Sequence, residues 1–167
     1  MRNHFLFAIL IAFLFCSLTS VSRASAQKSS TRNAGATSSA TEIPATQLIQ
    51  PEEMAALLRS TGQSRPLVLQ VGFRVLYVQA HIPGSEYVAA GSSPNGVQQL
   101  RTRVEKLPRN KAIVLYCGCC PWGHCPNVRP AYEELHGMGF TNVKVLFIAR
   151  DFGSDWVSKG YPVETGQ

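Results

Sequence analysis

Residues 112–126 read AIVLYCGCCPWGHCP, an apolar run followed by four cysteines within nine positions. A short continuous apolar run that ends at Gly and Pro residues predicts a buried strand, here over residues 113–116. Cys117 comes directly after this strand, and a helix is predicted to begin near Asn127. Loop N–H groups and the positive end of a helix dipole stabilise a thiolate, so the pattern indicates sulfur or metal chemistry at this loop.

Short apolar strands and amphipathic helices alternate on both sides of this stretch. The predicted strands are residues 67–71, 87–89, 113–116 and 142–148, and predicted helices begin at Pro51, Pro94 and Asn127, with a terminal helix that contains Trp156. Proline suits the first turn of a helix, and Asn is a favoured N-cap. This alternation predicts an α/β fold with a parallel sheet covered on both faces. Ligands bind at the carboxyl ends of the strands in such sheets, which is where Cys117 falls.

The N-terminal residues have the features of an export signal. Arg2 precedes an apolar run over residues 5–18, and Ala24-Ser25-Ala26 is a small-x-small cleavage site. Residues 1–26 are therefore predicted to be a signal peptide, with an uncleaved N-terminal anchor as the alternative. Residues 27–42 are rich in Ser, Thr and Ala and predict a disordered linker, and residues 43–167 form the predicted domain. The mature protein is expected to be exported, periplasmic or secreted, and free of the membrane.

Charge and motif content argue against several classes of function. The formal net charge is +6, but the basic residues are spread out and no aromatic residues are interleaved with them, so no nucleic-acid partner is expected. The sequence shows no Ser/His/Asp constellation, phosphate-binding glycine loop or paired catalytic carboxylates, and no cofactor is expected. The four thiols of the mature chain share one loop, so they cannot connect distant parts of the fold as structural disulfides.

Three segments match a known family in their order and spacing. They are His81-Ile82-Pro83-Gly84-Ser85, Ile113-Val114-Leu115-Tyr116-Cys117, and residues 139–146 followed by Trp156 and Gly160-Tyr161-Pro162-Val163. Together they resemble the rhodanese-like domain of the single-domain sulfurtransferase superfamily. The resemblance implies a five-stranded parallel sheet with helices on both faces. It also implies that Cys117 is the nucleophile, at the start of a loop that is longer than is usual in the family.

The first functional hypothesis is sulfur transfer through a persulfide on Cys117. Such a nucleophile needs a lowered thiol pKa and donors around its sulfur, which a loop before a helix N-terminus can supply. The substrates would be a small sulfur-containing anion or a thiol or persulfide donor, and a thiol acceptor. The residues predicted to contact them are Gly118, Cys119, Cys120, Trp122 and Arg129, with Arg129 as the group that holds an anionic donor.

Two further hypotheses use the same loop. Cys117 and Cys120 have C-x-x-C spacing, so the loop suits thiol–disulfide exchange with Cys120 or Cys125 as resolving thiol and a thiol-reducing protein as partner. Alternatively Cys117, Cys120, His124 and Cys125 are the right number of ligands for tetrahedral zinc or, with fewer thiolates, copper(I).

Overall fold

The computed structural model describes residues 42–60 and 65–166. The predicted signal peptide, residues 1–26, and all but the last residue of the predicted linker, residues 27–42, lie outside the described residues. The described chain forms a five-stranded sheet in the order β1-β5-β4-β2-β3, and every pairing is parallel. The strands are β1 Leu48–Ile49, β2 Leu67–Gln70, β3 Glu86–Tyr87, β4 Ile113–Tyr116 and β5 Val143–Leu146. The predicted α/β fold is confirmed.

Strand β4 lies at the centre of the sheet, and all four of its residues are buried. Its side chains alternate between two hydrophobic cores. Ile113 and Leu115 pack in one core, which also contains Leu100 and Leu135. Val114 and Tyr116 pack in the other, which contains Met54 and Phe152. This two-residue period is the geometry of a strand, and burial on both faces explains why its sequence is apolar without alternation.

In residues 42–60 and 65–166, five α-helices pack around the sheet. They are α1 Pro51–Arg59, α2 Arg74–Gln79, α3 Pro94–Val104, α4 Val128–Gly137 and α5 Phe152–Asp155. The predicted starts at Pro51 and Pro94 are confirmed, and Asn127 occupies the N-cap position of α4. No described helix is both long enough and apolar enough to cross a bilayer.

Several details differ from the sequence prediction. Strand β1 was not predicted, β2 ends at residue 70 instead of 71, and β5 covers residues 143–146 instead of 142–148. Helix α2 was not predicted, because its four apolar residues, 75–78, are consecutive and so show no amphipathic pattern, and only Tyr77 among its residues is buried. Strand β3 ends at Tyr87 instead of residue 89, since Ala89 adopts a φ of 58°, outside the extended region. Trp156 lies between α5 and a 3₁₀ helix over Val157–Lys159, not inside a helix.

The two ends of the described domain are held by partners that are distant in sequence. Edge strand β1 pairs only two residues with β5, Leu48 with Val145 and Ile49 with Leu146. Near the other end, the backbones of His81 and Glu164 exchange two hydrogen bonds of 2.9 Å. The fold is therefore closed by contacts between early and late segments of the chain.

Candidate active site: a cluster of four thiols

The Cys117 thiol lies at the carboxyl end of β4, and the residue is only 3% exposed. Two glycines make this position possible. A Cβ atom on Gly72, which follows β2, would lie 2.7 Å from Cys117 Sγ, so any larger residue would displace the sulfur. Gly118 has a φ of 72°, and a Cβ there would lie 2.7 Å from Cβ of Phe152. The nucleophile position predicted from the sequence is thus fixed by sheet packing and by two close backbone approaches.

The loop after Cys117 runs through a single 3₁₀ turn, Trp122–His124, before helix α4 begins. It is held at two points by the segment that follows β5. The Gly118 carbonyl accepts a hydrogen bond from the Phe152 N–H at 3.0 Å, and the Trp122 N–H donates to the Ala149 carbonyl at 3.1 Å. The long loop therefore folds back over the carboxyl ends of β4 and β5, and it carries Cys125 towards Cys117.

Four sulfur atoms form a continuous cluster in this loop. Cys117 Sγ donates to Cys119 Sγ at 3.2 Å, and Cys119 Sγ lies 3.1 Å from Cys120 Sγ. The Sγ atoms of Cys117, Cys119 and Cys125 all lie within 4.8 Å of one another. All four cysteines are free thiols in this structure, so the cluster is positioned for exchange of sulfur or electrons between neighbours.

The side chain of Asn127 supports the cluster from the start of α4. The residue is completely buried, and its Nδ2 atom donates to Cys117 Sγ at 3.5 Å and to Cys119 Sγ at 3.7 Å. Its Oδ1 atom accepts hydrogen bonds from the N–H and the hydroxyl of Ser92, at 3.2 and 2.7 Å. The N-cap position was predicted, but the side chain does not cap the helix. It orients an amide donor at the thiols.

The thiols differ in acidity because their surroundings differ. Hydrogen bonding with Cys117, followed by hydrogen bonds from the N–H groups of Asn127 and Val128, lowers the pKa of Cys125 to about 5. The pKa of Cys117 is raised, first by hydrogen bonding with Cys125 and then by burial. Burial, followed by hydrogen bonding with Cys119, raises the pKa of Cys120 to about 12. The expectation of a lowered pKa at Cys117 is therefore wrong: the helix N-terminus faces Cys125, and this thiol carries the negative charge.

Two clefts open on different sides of the cluster. The first, of about 290 Å³, includes Cys117, Gly118 and Cys119 in its lining, together with Gln70 from the end of β2. The second, of about 440 Å³, is lined by residues that include Trp122, Cys125 and Arg129. The two linings share no residue. The predicted substrate-contacting residues are thus divided between two clefts, and Cys120 lines a small gap between them.

Arg129, predicted to hold an anionic donor, lies on the second cleft and not on the one that Cys117 faces. Its Nε atom donates to Glu133 Oε1 at 2.9 Å, one turn along α4. This partner neutralises part of its charge. The structure thus brings Arg129 near Cys125 rather than near Cys117.

The thiols best placed to hold a metal ion are Cys117, Cys119 and Cys125. Cys119 replaces two members of the predicted set, since Cys120 Sγ donates to the main-chain oxygen of His124 at 3.5 Å and His124 is exposed. Three thiolates fit copper(I), whereas structural zinc takes a fourth ligand.

Sequence reasoning missed two residues that shape the site. Asn127 donates a hydrogen bond to the thiols, and Gly72 leaves the space that the Cys117 sulfur occupies. Gly72 follows a predicted strand, and a glycine at such a place signals close backbone approach. No local signal could show that Asn127 turns away from its own helix, because its partners Ser92 and Cys117 are distant in sequence.

Comparison with solved structures agrees with this architecture. The Alr3790 protein from Anabaena sp. is 19% identical, with a TM-score of 0.54 over 71% of this chain and 92% of that chain. The single-domain sulfurtransferase RDL2 of Saccharomyces cerevisiae is 16% identical, with a TM-score of 0.51 over 72% of this chain and 94% of that chain. Both likenesses concern the fold.

A thiosulfate sulfurtransferase from Pseudomonas aeruginosa is 27% identical, with a TM-score of 0.52 over 72% of this chain and 19% of that chain. A search of the curated proteins finds no match. The sequence profile of the rhodanese-like domain matches residues 50–147, which extend from the start of α1 to the end of β5 and include the whole cysteine loop. More than half of the chain is covered, in the segment that builds the sheet and the thiol cluster, and the chain belongs to the rhodanese-like domain family.

Proposed function

We propose that this protein is a sulfurtransferase that passes sulfane sulfur through a persulfide on Cys117. The observation that carries the proposal is the position of this thiol, fixed at the carboxyl end of the central strand and facing the first cleft. A nucleophile held in place reacts far faster than one on a mobile loop, because its orientation is set before the substrate binds. Membership of the family, and the likeness to a protein described as a thiosulfate sulfurtransferase, support the same chemistry.

The donor is a small sulfur-containing anion such as thiosulfate, or a persulfide. With thiosulfate, the Cys117 thiolate attacks the outer sulfur, the S–S bond of the donor breaks, and its electron pair leaves with sulfite. The displaced thiol proton ends on the outer sulfur, which gives Cys117–S–SH in the first cleft. Asn127 Nδ2 donates towards the same sulfur and stabilises it as it becomes charged.

Single serine substitutions test the assignment. Cys117→Ser should abolish persulfide formation from thiosulfate, detected as a mass increase of one sulfur atom. Cys119→Ser, Cys120→Ser and Cys125→Ser should each keep a measurable first transfer and change only later turnover. Full persulfide formation in Cys117→Ser, with its loss in Cys125→Ser, would assign the nucleophile to the helix entrance instead.

Thiol–disulfide exchange is the second candidate, and the spacing of Cys117 and Cys119 favours it. The Sγ separation of 3.2 Å between Cys117 and Cys119 needs only local rotation to become a bond. In this role Cys119 joins the predicted resolving thiols Cys120 and Cys125. Thiol counting and metal analysis of native protein decide between the candidates: loss of two or four hydrogens indicates redox work, and stoichiometric metal indicates a metal-binding module.

The site of action follows from the sequence of residues 1–26. We propose that the protein is exported and works in the periplasm or outside the cell, where a thiol-reducing protein keeps its cluster reduced. N-terminal sequencing of native protein should find a mature chain that begins near Gln27 in the soluble fraction. Full-length chain in the membrane pellet would contradict cleavage.

A further inference from the structure

The arrangement of the thiols suggests more than one sulfur carrier. Cys117 lines the first cleft, and Cys125 lines the second. Both also line a small internal gap of about 10 Å³, walled in part by Leu146 and Ile148. That volume is about the least that holds one water-sized atom. Within the described part of the chain, this gap is lined by both thiols, and its volume corresponds to about one small atom.

The separation of the two thiols fits transfer of that atom. A persulfide places its outer sulfur about 2.05 Å from Cys117 Sγ, and an attacking sulfur approaches in line from about 3 Å. The two Sγ atoms lie within 4.8 Å of each other, which is no farther than the span of about 5 Å that in-line transfer can cover. Cys119, at 3.2 Å from Cys117, is instead close enough to attack the inner sulfur and form a disulfide.

We propose that Cys125 is a second sulfur carrier, which takes the sulfane sulfur from Cys117 across the gap and presents it to a thiol acceptor in the second cleft. This inference rests on the proposed function. The Cys125 thiolate attacks the outer sulfur of Cys117–S–SH, a new S–S bond forms on Cys125, and the old bond breaks with its electron pair returning to Cys117. No oxidant or reductant is consumed.

The second step takes place in the other cleft. An acceptor thiolate attacks the outer sulfur of Cys125–S–SH, leaves as a persulfide and restores the Cys125 thiolate. The second cleft, at about 440 Å³ against about 290 Å³, suits an acceptor larger than a thiosulfate-sized donor. Trp122 provides an apolar wall, and Arg129 and Glu42 provide charges of both signs, so the acceptor class is a small organic thiol with charged groups of both signs. Donor and acceptor then bind to different clefts and do not compete.

The transfer of sulfur from Cys117 to Cys125 and on to the acceptor is a relay, and half-reactions measured on the full chain test it. In the first half-reaction, loading, thiosulfate forms the persulfide on the protein. In the second, unloading, glutathione removes the outer sulfur of that persulfide. Cys125→Ser should still form a persulfide on Cys117 and keep it there, and its unloading rate should fall on the order of tenfold more than its loading rate does. In the wild type, fragmentation of the alkylated peptide should find persulfide on Cys125 as well as on Cys117.

Variants that fill one cleft at a time give a test that does not remove a thiol. A Cβ on Gly123 meets no atom within 4 Å, so Gly123→Phe can fill the second cleft and should slow unloading alone. Val157, which lines the first cleft and is 40% exposed, allows Val157→Trp, which should slow loading alone. Gly137→Phe is the matched control, because its Cβ also meets nothing and it lies on neither cleft.

The outcomes separate the relay from the proposed function. Unloading of Cys125→Ser at the wild-type rate would overturn the relay and leave the persulfide on Cys117 standing. Slower unloading in Val157→Trp with normal unloading in Gly123→Phe would also overturn the relay without contradicting the persulfide on Cys117. Failure of the wild type to form any persulfide from thiosulfate or from glutathione persulfide would overturn both.

Discussion

Asn127 donates its side-chain amide to Cys117 Sγ at 3.5 Å while its oxygen accepts a 2.7 Å hydrogen bond from the Ser92 hydroxyl. Asn127→Asp keeps the acceptor for Ser92 and removes the donor to the sulfur. We expect persulfide formation on Cys117 to fall about ten- to a hundredfold, because a hydrogen bond to a charged group contributes about 1.5–3 kcal/mol and about 1.4 kcal/mol is a factor of ten. The rate of sulfite release in a single turnover measures this change.

The control for this substitution is Asn95→Asp, the same change at an exposed position in α3. It should leave the rate unchanged. An equal loss in both variants would show that added negative charge, and not the lost hydrogen bond, is responsible.

The acidity of Cys125 predicts which thiol reacts first with an alkylating reagent. Its thiolate is present above a pKa of about 5 and is lost as the pH falls through that value. At neutral pH iodoacetamide should therefore modify Cys125 before Cys120, whose pKa is about 12. Peptide-resolved mass spectrometry over a pH series measures the order. First modification of Cys120, or an inflection for Cys125 near that of an ordinary thiol, would contradict this electrostatic account.

Gly72→Ala should damage reactivity more than stability. The added Cβ lies 2.7 Å from Cys117 Sγ and 2.8 Å from Gln70 Nε2, both of them side-chain atoms that can shift. We expect a decrease of about 1–3 kcal/mol in the free energy of unfolding, as for other overpacked sites, and a loss of more than about tenfold in loading rate as the sulfur leaves its position. Gly123→Ala, whose Cβ meets nothing, is the matched control.

Val114→Asp should prevent folding. Val114 is 3% exposed in the middle of the central strand and packs in the core of α1 and α5. An unpaired charge there costs several kcal/mol, comparable to the whole stability of a domain. Soluble expression and thermal unfolding measure the effect, with Val75→Asp as control because Val75 is 65% exposed. Cooperative unfolding of Val114→Asp near the wild-type temperature would contradict the assignment of β4.

Sequence reasoning located elements that have a strong local cause. Strand β4 is apolar throughout because both its faces are buried, and Pro51 and Pro94 mark helix starts through their own backbone geometry. Helix α2 has no such local cause. Val75 and Val78 face solvent, and the helix is held by the packing of its one buried residue, Tyr77. Strand β1 has two residues, too few for any periodicity.

The cysteine loop was found from its sequence, but the roles within it were not. A thiol before a helix was expected to have a lowered pKa, and the structure shows such a thiol at Cys125 rather than at Cys117. Which cysteine meets the N–H groups of α4 depends on the path of the 3₁₀ turn at Trp122, and that path is set by the contact with Ala149. A contact between segments so far apart leaves no local pattern to read.

The pairing of β1 with β5 has a consequence for biosynthesis. Residues 48–49 find their partners only after residues 145–146 have been made, and Glu164 must follow before the turn at His81 is held. Contacts between such distant segments form slowly, because the intervening chain has to be ordered first. The four thiols between them emerge and stay accessible throughout that interval. A newly made chain is therefore most exposed to wrong disulfides before its sheet closes, and its yield should depend on the reductant present during synthesis.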